Sequence, residues 1–222
     1  FGPTTGDKIR FLRKLAAYAK EAAIPFSIHW ILEEELPLIH EAFGDTYTIV
    51  SSRNSAEYIY HTESLLTLSG KKLHAKRNHV NGFKAAYTYE TMPITKENLS
   101  DAETFVLARC NSKEEHAAMQ KLFANYFYLG LCGMLLYADG SLAAVTAGEK
   151  ITDDTALIHL EKADTEIKGA YPAVNQLFIS QYFADTKYIN REEDMGIEGL
   201  RRAKLSYAPA FLLEKFTLTE AL

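Results

Sequence analysis

Apolar residues recur at three- and four-residue spacing in "TGDKIRFLRKLAAYAKEAA", where Ile9, Leu12, Leu15, Ala16 and Ala19 line one side of an amphipathic helix with Thr5 or Asp7 as its N-cap. "IPFSIHWI", entered through Pro25, reads as a strand, and "EEELPLIHEAF" as a short helix that Gly44 closes by turning left-handed. "TYTIVSS" reads as a second strand, so the first 60 residues run helix, strand, helix, strand. Residues 70–86 then read as a basic helix and "AYTYETMPI" as a strand. "NLSDAETFVLARC" reads as a helix with Ser100 and Glu103 in capping-box register, and "SKEEHAAMQKLFANYFYLG" as a strongly amphipathic helix capped by Ser112, with Glu115 three residues on.

A three-strand meander follows, "GMLLYAD", "SLAAVTAGEKI" and "TALIHLEKA", broken at Asp139-Gly140 and at Asp153-Asp154; Asp-Gly between two apolar runs signals a hairpin. The helix "YPAVNQLFISQYF" comes next, with Pro172 near its start, where a missing N–H costs nothing. After it the pattern predicts the strand "KYINRE", the helix "GIEGLRRAKLSY" and one last strand, "AFLLEKFTL". The whole is a mixed α/β (α+β) chain with mostly antiparallel sheets, and neither a doubly wound parallel sheet nor a barrel.

Composition narrows the class. With 222 residues, 47% hydrophobic and 24% charged, the chain can bury a sizeable core, and its net charge of -5 argues against a general coat for double-stranded DNA. Cys110 and Cys132 have no metal or disulfide spacing, and Cys132 sits in the apolar run "YLGLCGMLLY" as a buried thiol. No His-x-x-x-His or Cys/His cluster suggests a metal, and the glycine-serine and glycine-lysine signatures of hydrolases and P-loops are missing. No segment has the 18 or so apolar residues of a membrane span, and a cytoplasmic location is expected. A start at Phe1 rather than Met makes a fragment the expectation, with earlier strands preceding it.

Three blocks carry a resemblance. "YIYHTESLLTLSGKKLHAKRNHVNGF", followed downstream by "KGAYPAVNQLF" and "YINREEDMGIEGLRRAKLSYAP", resembles the bacterial family grouped with the C-terminal domain of phosphatidylglycerol lysyltransferases. That resemblance covers residues 7 to 218 and implies an acetyltransferase-like (GNAT) fold related to the Fem-type aminoacyltransferases, with two GNAT-like halves in tandem at 1–98 and 99–222, the first incomplete. It also implies acyl transfer, with an aminoacyl-tRNA or an acyl-CoA as donor.

Each block offers candidate residues. Between Glu63 and Glu90 there is no acidic residue, yet Lys71, Lys72, Lys76, Arg77 and Lys84 fall there. On a helix Lys72, Lys76 and His79 share one side, while Leu73, Val80 and Phe83 form an inward stripe that brings Arg77 with it; that Arg must meet an acceptor or snorkel. The face is either a solvated one or a phosphate site for a tRNA acceptor end, a CoA or a lipid head group. In the second block Gly169 aligns with the first glycine of the acetyltransferase pyrophosphate loop, but Glu166 and Tyr171 stand where a basic and a small residue belong, so binding CoA in the usual way is not expected. Lys168, Gly169, Tyr171, Asn175 and Gln176 form either a helix cap or an acyl pocket. In the third block Asn190, Arg191, Glu192, Glu193 and Asp194 end a strand, where ligands of such sheets bind. Glu192, Glu193 and Asp194 are candidate bases or simply helix-start acids, and Arg201 and Lys204 pair either with them or with a ligand phosphate. His29 and His159 read as structural.

Three functions remain open from the sequence: aminoacyl transfer to an amine or hydroxyl such as a lipid head group, acyl-CoA-dependent transfer through an altered loop, and non-catalytic binding of a phosphate ligand or RNA end. A peripheral lipid contact fits the first, and the oligomeric state is left open.

Overall fold

The computed structural model describes residues 5–220, with Asp45 described by its backbone alone. The chain begins with α1 (Lys8–Glu21), β1 (Ser27–Ile31), α2 (Leu36–Phe43), β2 (Tyr47–Ser51), β3 (Glu57–His61) and α3 (Thr62–Thr67). It continues with α4 (His74–Ala86), β4 (Tyr89–Pro93), α5 (Leu99–Leu107), α6 (Lys113–Ala124), β5 (Cys132–Ala138) and β6 (Ser141–Lys150). It ends with β7 (Thr155–Ala163), α7 (Ala170–Tyr182), β8 (Tyr188–Asn190), α8 (Glu198–Leu205), β9 (Phe211–Leu213) and β10 (Phe216–Glu220). Two compact units result. The larger takes in Tyr58–Glu192 and Glu198–Phe211, and the smaller the residues through Glu57, Glu193–Ile197 and those from Leu212 onward. The strands expected before Phe1 lie outside the described residues.

In the smaller unit Asp7 caps α1, its carboxylate accepting the Arg10 N–H at 2.8 Å. The inward stripe of α1 packs Leu12 and Ala19 with Phe26, Ile31, Ile39, Phe43 and Leu218. Its antiparallel sheet has the order β1-β10-β2, with the last strand in the middle. The expected single strand "AFLLEKFTL" is therefore two strands in different sheets. The break falls at Glu214-Lys215, where charge interrupts the apolar run and the Lys215 ammonium pairs with Glu57.

The larger unit carries β4 to β8, most of β3 and the first residue of β9 from a seven-stranded sheet of order β4-β5-β6-β7-β8-β3-β9. Its meander pairs β5, β6 and β7 antiparallel as expected, and Asp139 and Gly140, with φ of 48° and 79°, make the tight turn that the Asp-Gly pair signalled. One face carries α5 and α6 over Phe105, Val106, Phe123, Leu135, Val145 and Leu160. The other carries α7, which also packs on α3 and α4.

Four local readings need correction. Strand β3 and helix α3 were not among the expected elements: Tyr58, Ile59 and Tyr60 are all buried, so no alternation marks the strand. The basic helix starts at His74 rather than 70, because Gly70 (φ 79°) sits in a turn that runs to Leu73. Helix α5 starts at Leu99, which puts Ser100 inside the first turn; Asn98 precedes it and accepts the Thr95 N–H at 2.8 Å. Helix α6 has the predicted Ser112 cap, bonded to the Glu115 N–H at 3.0 Å, but stops at Ala124 and leaves "NYFYLG" as turns. None of the helices among the described residues is long and apolar enough to cross a membrane.

Candidate active site in the gap between two parallel strands

Strands β7 and β8 of the larger sheet pair in parallel, and they part early. Their register runs from Thr155↔Tyr188 to Leu157↔Asn190 and stops there. Beyond that point β7 stays with β6 as far as Ala163, while the chain after β8 stays with β3 through Arg191 N–H to Tyr58 O (3.0 Å) and Tyr58 N–H to Glu192 O (3.2 Å). The sheet opens between them, and side chains rather than backbone bonds span the gap.

One bridge is an ion pair. Arg191 donates from Nη2 to Glu161 Oε1 at 2.8 Å, and both side chains are only 11% exposed, so neither charge is solvated by bulk water. Asn175 on α7 holds the other Glu161 oxygen at 2.8 Å. The guanidinium lies 4.7 Å from the Tyr207 ring centroid and 5.7 Å from that of Tyr60, while the Lys76 ammonium sits 4.3 Å from the Tyr207 ring. Burial works against the Arg191 charge, but Glu161 and the two tyrosines outweigh it and hold the guanidinium more firmly protonated than usual. Burial lowers the Lys76 pKa, helped by repulsion from Arg191. It also pushes the Tyr207 hydroxyl up to about 12. Two buried polar atoms in this cluster, Arg191 Nη1 and Asn175 Oδ1, make no well-aligned hydrogen bond within the protein, although the guanidinium also lies within reach of the Tyr207 hydroxyl. Leaving such buried atoms without a good hydrogen bond is costly.

The second bridge is His159, two residues before Glu161 on the same face of β7. Its Nδ1 lies 3.0 Å from Glu192 Oε1 and its Nε2 lies 2.9 Å from Glu149 Oε1. The bond to Glu192 raises the His159 pKa, against partial burial and with help from Glu149. Glu192 itself has φ 57°, a conformation that costs a non-glycine residue energy. Three bonds impose it: Asn190 Oδ1 accepts the Glu192 N–H at 2.8 Å, and the Lys204 ammonium donates to the carbonyls of Arg191 and Glu192 at 2.5 and 3.2 Å. Among the described residues no group of three or more His, Cys, Asp or Glu side chains could hold a metal ion.

The sequence model of the C-terminal domain of phosphatidylglycerol lysyltransferases matches residues 1–219. The chain belongs to that family. It is 35% identical to a conserved protein of unknown function from Bacteroides thetaiotaomicron, with a TM-score of 0.91 over 98% of this chain and 77% of that one. An uncharacterized protein of Mycoplasmoides gallisepticum is 26% identical, over 94% of this chain and 67% of its own length. The lysyl-phosphatidylglycerol synthase (L-PGS) of Bacillus licheniformis shares the fold at 16% identity and a TM-score of 0.66, over 96% of this chain and 73% of that one. FemX (TM-score 0.63, 8% identity, 94% and 76% covered) and a tandem GNAT protein of clavulanic acid biosynthesis (0.53, 13%, 94% and 69%) share it too. The fold is thus mixed α/β, mostly antiparallel and GNAT-like.

In this member of the phosphatidylglycerol lysyltransferase C-terminal family, the residues singled out from sequence part into groups. Lys76, Asn175, Arg191 and Glu192 meet at the gap, with Asn190 and Lys204 fixing the backbone beneath them. Glu161, Glu149, Tyr60 and Tyr207 join them without having been given a role above, and His159 had read as structural. The signal for His159 and Glu161 was polar residues at alternate positions of an otherwise apolar strand, "ALIHLEKA". Arg77 donates to Leu68 O at 2.6 Å, closing the last turn of α3. Gln176 donates to Leu66 O at 2.7 Å and accepts from Lys84 at 3.1 Å, which ties α7 to α3 and α4. Gly169 has φ 86°, and a Cβ there would come within 2.6 Å of His79 O, so the glycine lets α7 sit against α4. Lys72, His79, Lys168 and Tyr171 are exposed, and Arg201 is half-buried on α8. Glu193 and Asp194 belong to the smaller unit. There Glu193 lies 3.8 Å from Lys215, while Asp194, fully buried, lies 3.3 Å from Arg53 and accepts the Gly196 N–H at 2.8 Å.

Proposed function

We propose that this chain is an acyltransferase that moves an aminoacyl group from an aminoacyl-tRNA-type donor to an amine or hydroxyl acceptor, such as a lipid head group. The observation that carries this reading is the pair of buried atoms without a well-aligned hydrogen bond, Arg191 Nη1 and Asn175 Oδ1, at the opening of the sheet beside the His159-held Glu192 carboxylate. An acceptor hydroxyl or amine attacks the ester carbonyl of the donor and gives its proton to Glu192. Arg191 faces the oxyanion that forms. Collapse breaks the ester C–O bond, and the departing ribose oxygen takes a proton back. Positioning supplies much of the rate, so no covalent nucleophile is required.

The acyl-CoA reading has less support. In the loop before α7, Asp164 accepts the Glu166 N–H at 3.0 Å and pairs with Arg109 at 2.7 Å, so the loop carries a carboxylate, which disfavours a pyrophosphate there. We read the chain further as two GNAT-like halves, 1–98 and 99–222, on the likeness to the tandem GNAT protein, a division in sequence that differs from the two compact units, since β4 pairs with β5 in the larger one.

The test is transfer itself. Charged tRNAs incubated with the protein and phosphatidylglycerol should yield aminoacylated lipid, and Arg191→Gln should lower the rate roughly 100-fold, the usual cost of losing an oxyanion contact. Turnover of acetyl-CoA with no transfer from any charged tRNA would reverse the order of the two readings.

A further inference from the structure

The turn between α6 and β5 exposes three large apolar residues in succession: Phe127 is 44% exposed, Tyr128 90% and Leu129 50%. This is not loose packing. Tyr126 before them and Leu131 after them are buried in the core beneath α5 and α6. The turn is fixed by Leu129 N–H to Asn125 O (2.9 Å), Gly130 N–H to Phe127 O (3.2 Å) and Leu131 N–H to Tyr126 O (3.3 Å). The Phe127 ring stands edge-on to Tyr126 at 5.1 Å. A rigid turn therefore holds an aromatic-aliphatic tip in water, where each side chain is worse off than in an apolar environment.

The charge around the tip points to one partner. In a chain of net charge -5, no carboxylate occurs from His116 to Ala138, and Lys121 carries the formal charge of that stretch. The Lys96 ammonium lies 6.0 Å from the Phe127 ring centroid, and both lysines are exposed. The acid next in sequence, Glu97, is exposed and stays ionised, its pKa lowered by a bond from Thr95, so Lys96 and Lys121 outweigh it by one charge. Tyr and Phe flanked by Lys suit the boundary of an anionic bilayer, where rings enter the head-group layer and ammonium groups meet phosphates.

We propose that the Phe127–Leu129 turn, with Lys96 and Lys121, is a membrane-docking tip that inserts into the interfacial layer of an anionic phospholipid surface. It touches no residue of the proposed active site, and vesicle binding is read without any donor, so the two proposals fail separately. Co-sedimentation with vesicles containing phosphatidylglycerol should show binding that phosphatidylcholine vesicles alone do not support. The triple variant Phe127→Ser, Tyr128→Ser, Leu129→Ser should bind roughly tenfold or more weakly. Lys96→Glu should weaken binding chiefly at low salt. The exposed variant Tyr128→Trp should shift its emission to the blue on adding the anionic vesicles. Failure of the natural chain to bind, equal binding by the triple variant, or a tip whose only effect is on self-association in size-exclusion chromatography would overturn the proposal.

Discussion

At the scale of single residues the gap is governed by charges held away from water. Arg191 and Glu161 are each nearly buried, and such a pair stabilises little by itself, since desolvation offsets much of its attraction. Its retention makes better sense as preorganisation: the guanidinium is already stripped of water and aimed by Glu161, Tyr60 and Tyr207 before a ligand arrives. His159 adds a dependence on pH. Its pKa is raised in the fold, mainly by Glu192, above the value of about 6.5 usual for an imidazole. The folded state thus binds this proton more tightly than the unfolded chain, so the stabilisation is complete below the ordinary imidazole range and is lost as the pH climbs through the folded value. Thermal melts of the natural chain and of His159→Gln should therefore differ most at about pH 6 and converge towards about pH 9. A difference that grew with pH would show that the ring is held neutral.

At the scale of elements the decisive contact is α7 against α4. Gly169 starts α7 in a left-handed conformation with His79 O where a Cβ would stand. Gly169→Ala should cost at least about 1–2 kcal/mol from the backbone alone, with more for the close approach. Chemical denaturation should report the loss, and a shift in the α7 position should appear as faster amide exchange over its first turns. The same helix carries Asn175, so the variant should also loosen the Glu161 carboxylate that Asn175 holds. Beside this, the Ser112 cap and the Asp139-Gly140 turn act locally, which is why both were legible without a fold.

At the scale of the molecule the chain returns late to finish what it began early. Strand β10 lies between β1 and β2, and Leu218, fully buried, is its contribution to the core of the smaller unit. Leu218→Ala should cost about 2–5 kcal/mol locally. Hydrogen exchange should then quicken together in β1, β2 and β10, and an effect confined to β10 would show that the three strands do not form one cooperative sheet. The late return also separates β9 from β10 across Glu214 and Lys215, and the two strands join different sheets.

The amino-acid sequence by itself determined the elements whose cause is local: the amphipathic stripe of α1 with its Asp7 cap, the Ser112 cap of α6, the hairpin at Asp139-Gly140, and the inward Val80 and Phe83 of the basic helix. Periodicity and capping act within a few residues, and they are visible in one dimension. It also carried the family, through three blocks whose joint spacing records a shared architecture. What only the tertiary structure decided was partnership. The basic block supplied Lys76 to the Tyr207 ring but spent Arg77 on a helix end, and helical spacing, though it puts the two on different sides, names the partner of neither. "ALIHLEKA" looked like a strand with incidental polar residues until β8 left β7 and exposed His159 and Glu161 to Glu192 and Arg191, about 30 residues away in sequence. Long-range electrostatics depends on distance in space, and a parallel pair of strands that separates partway leaves no mark on the periodicity of either.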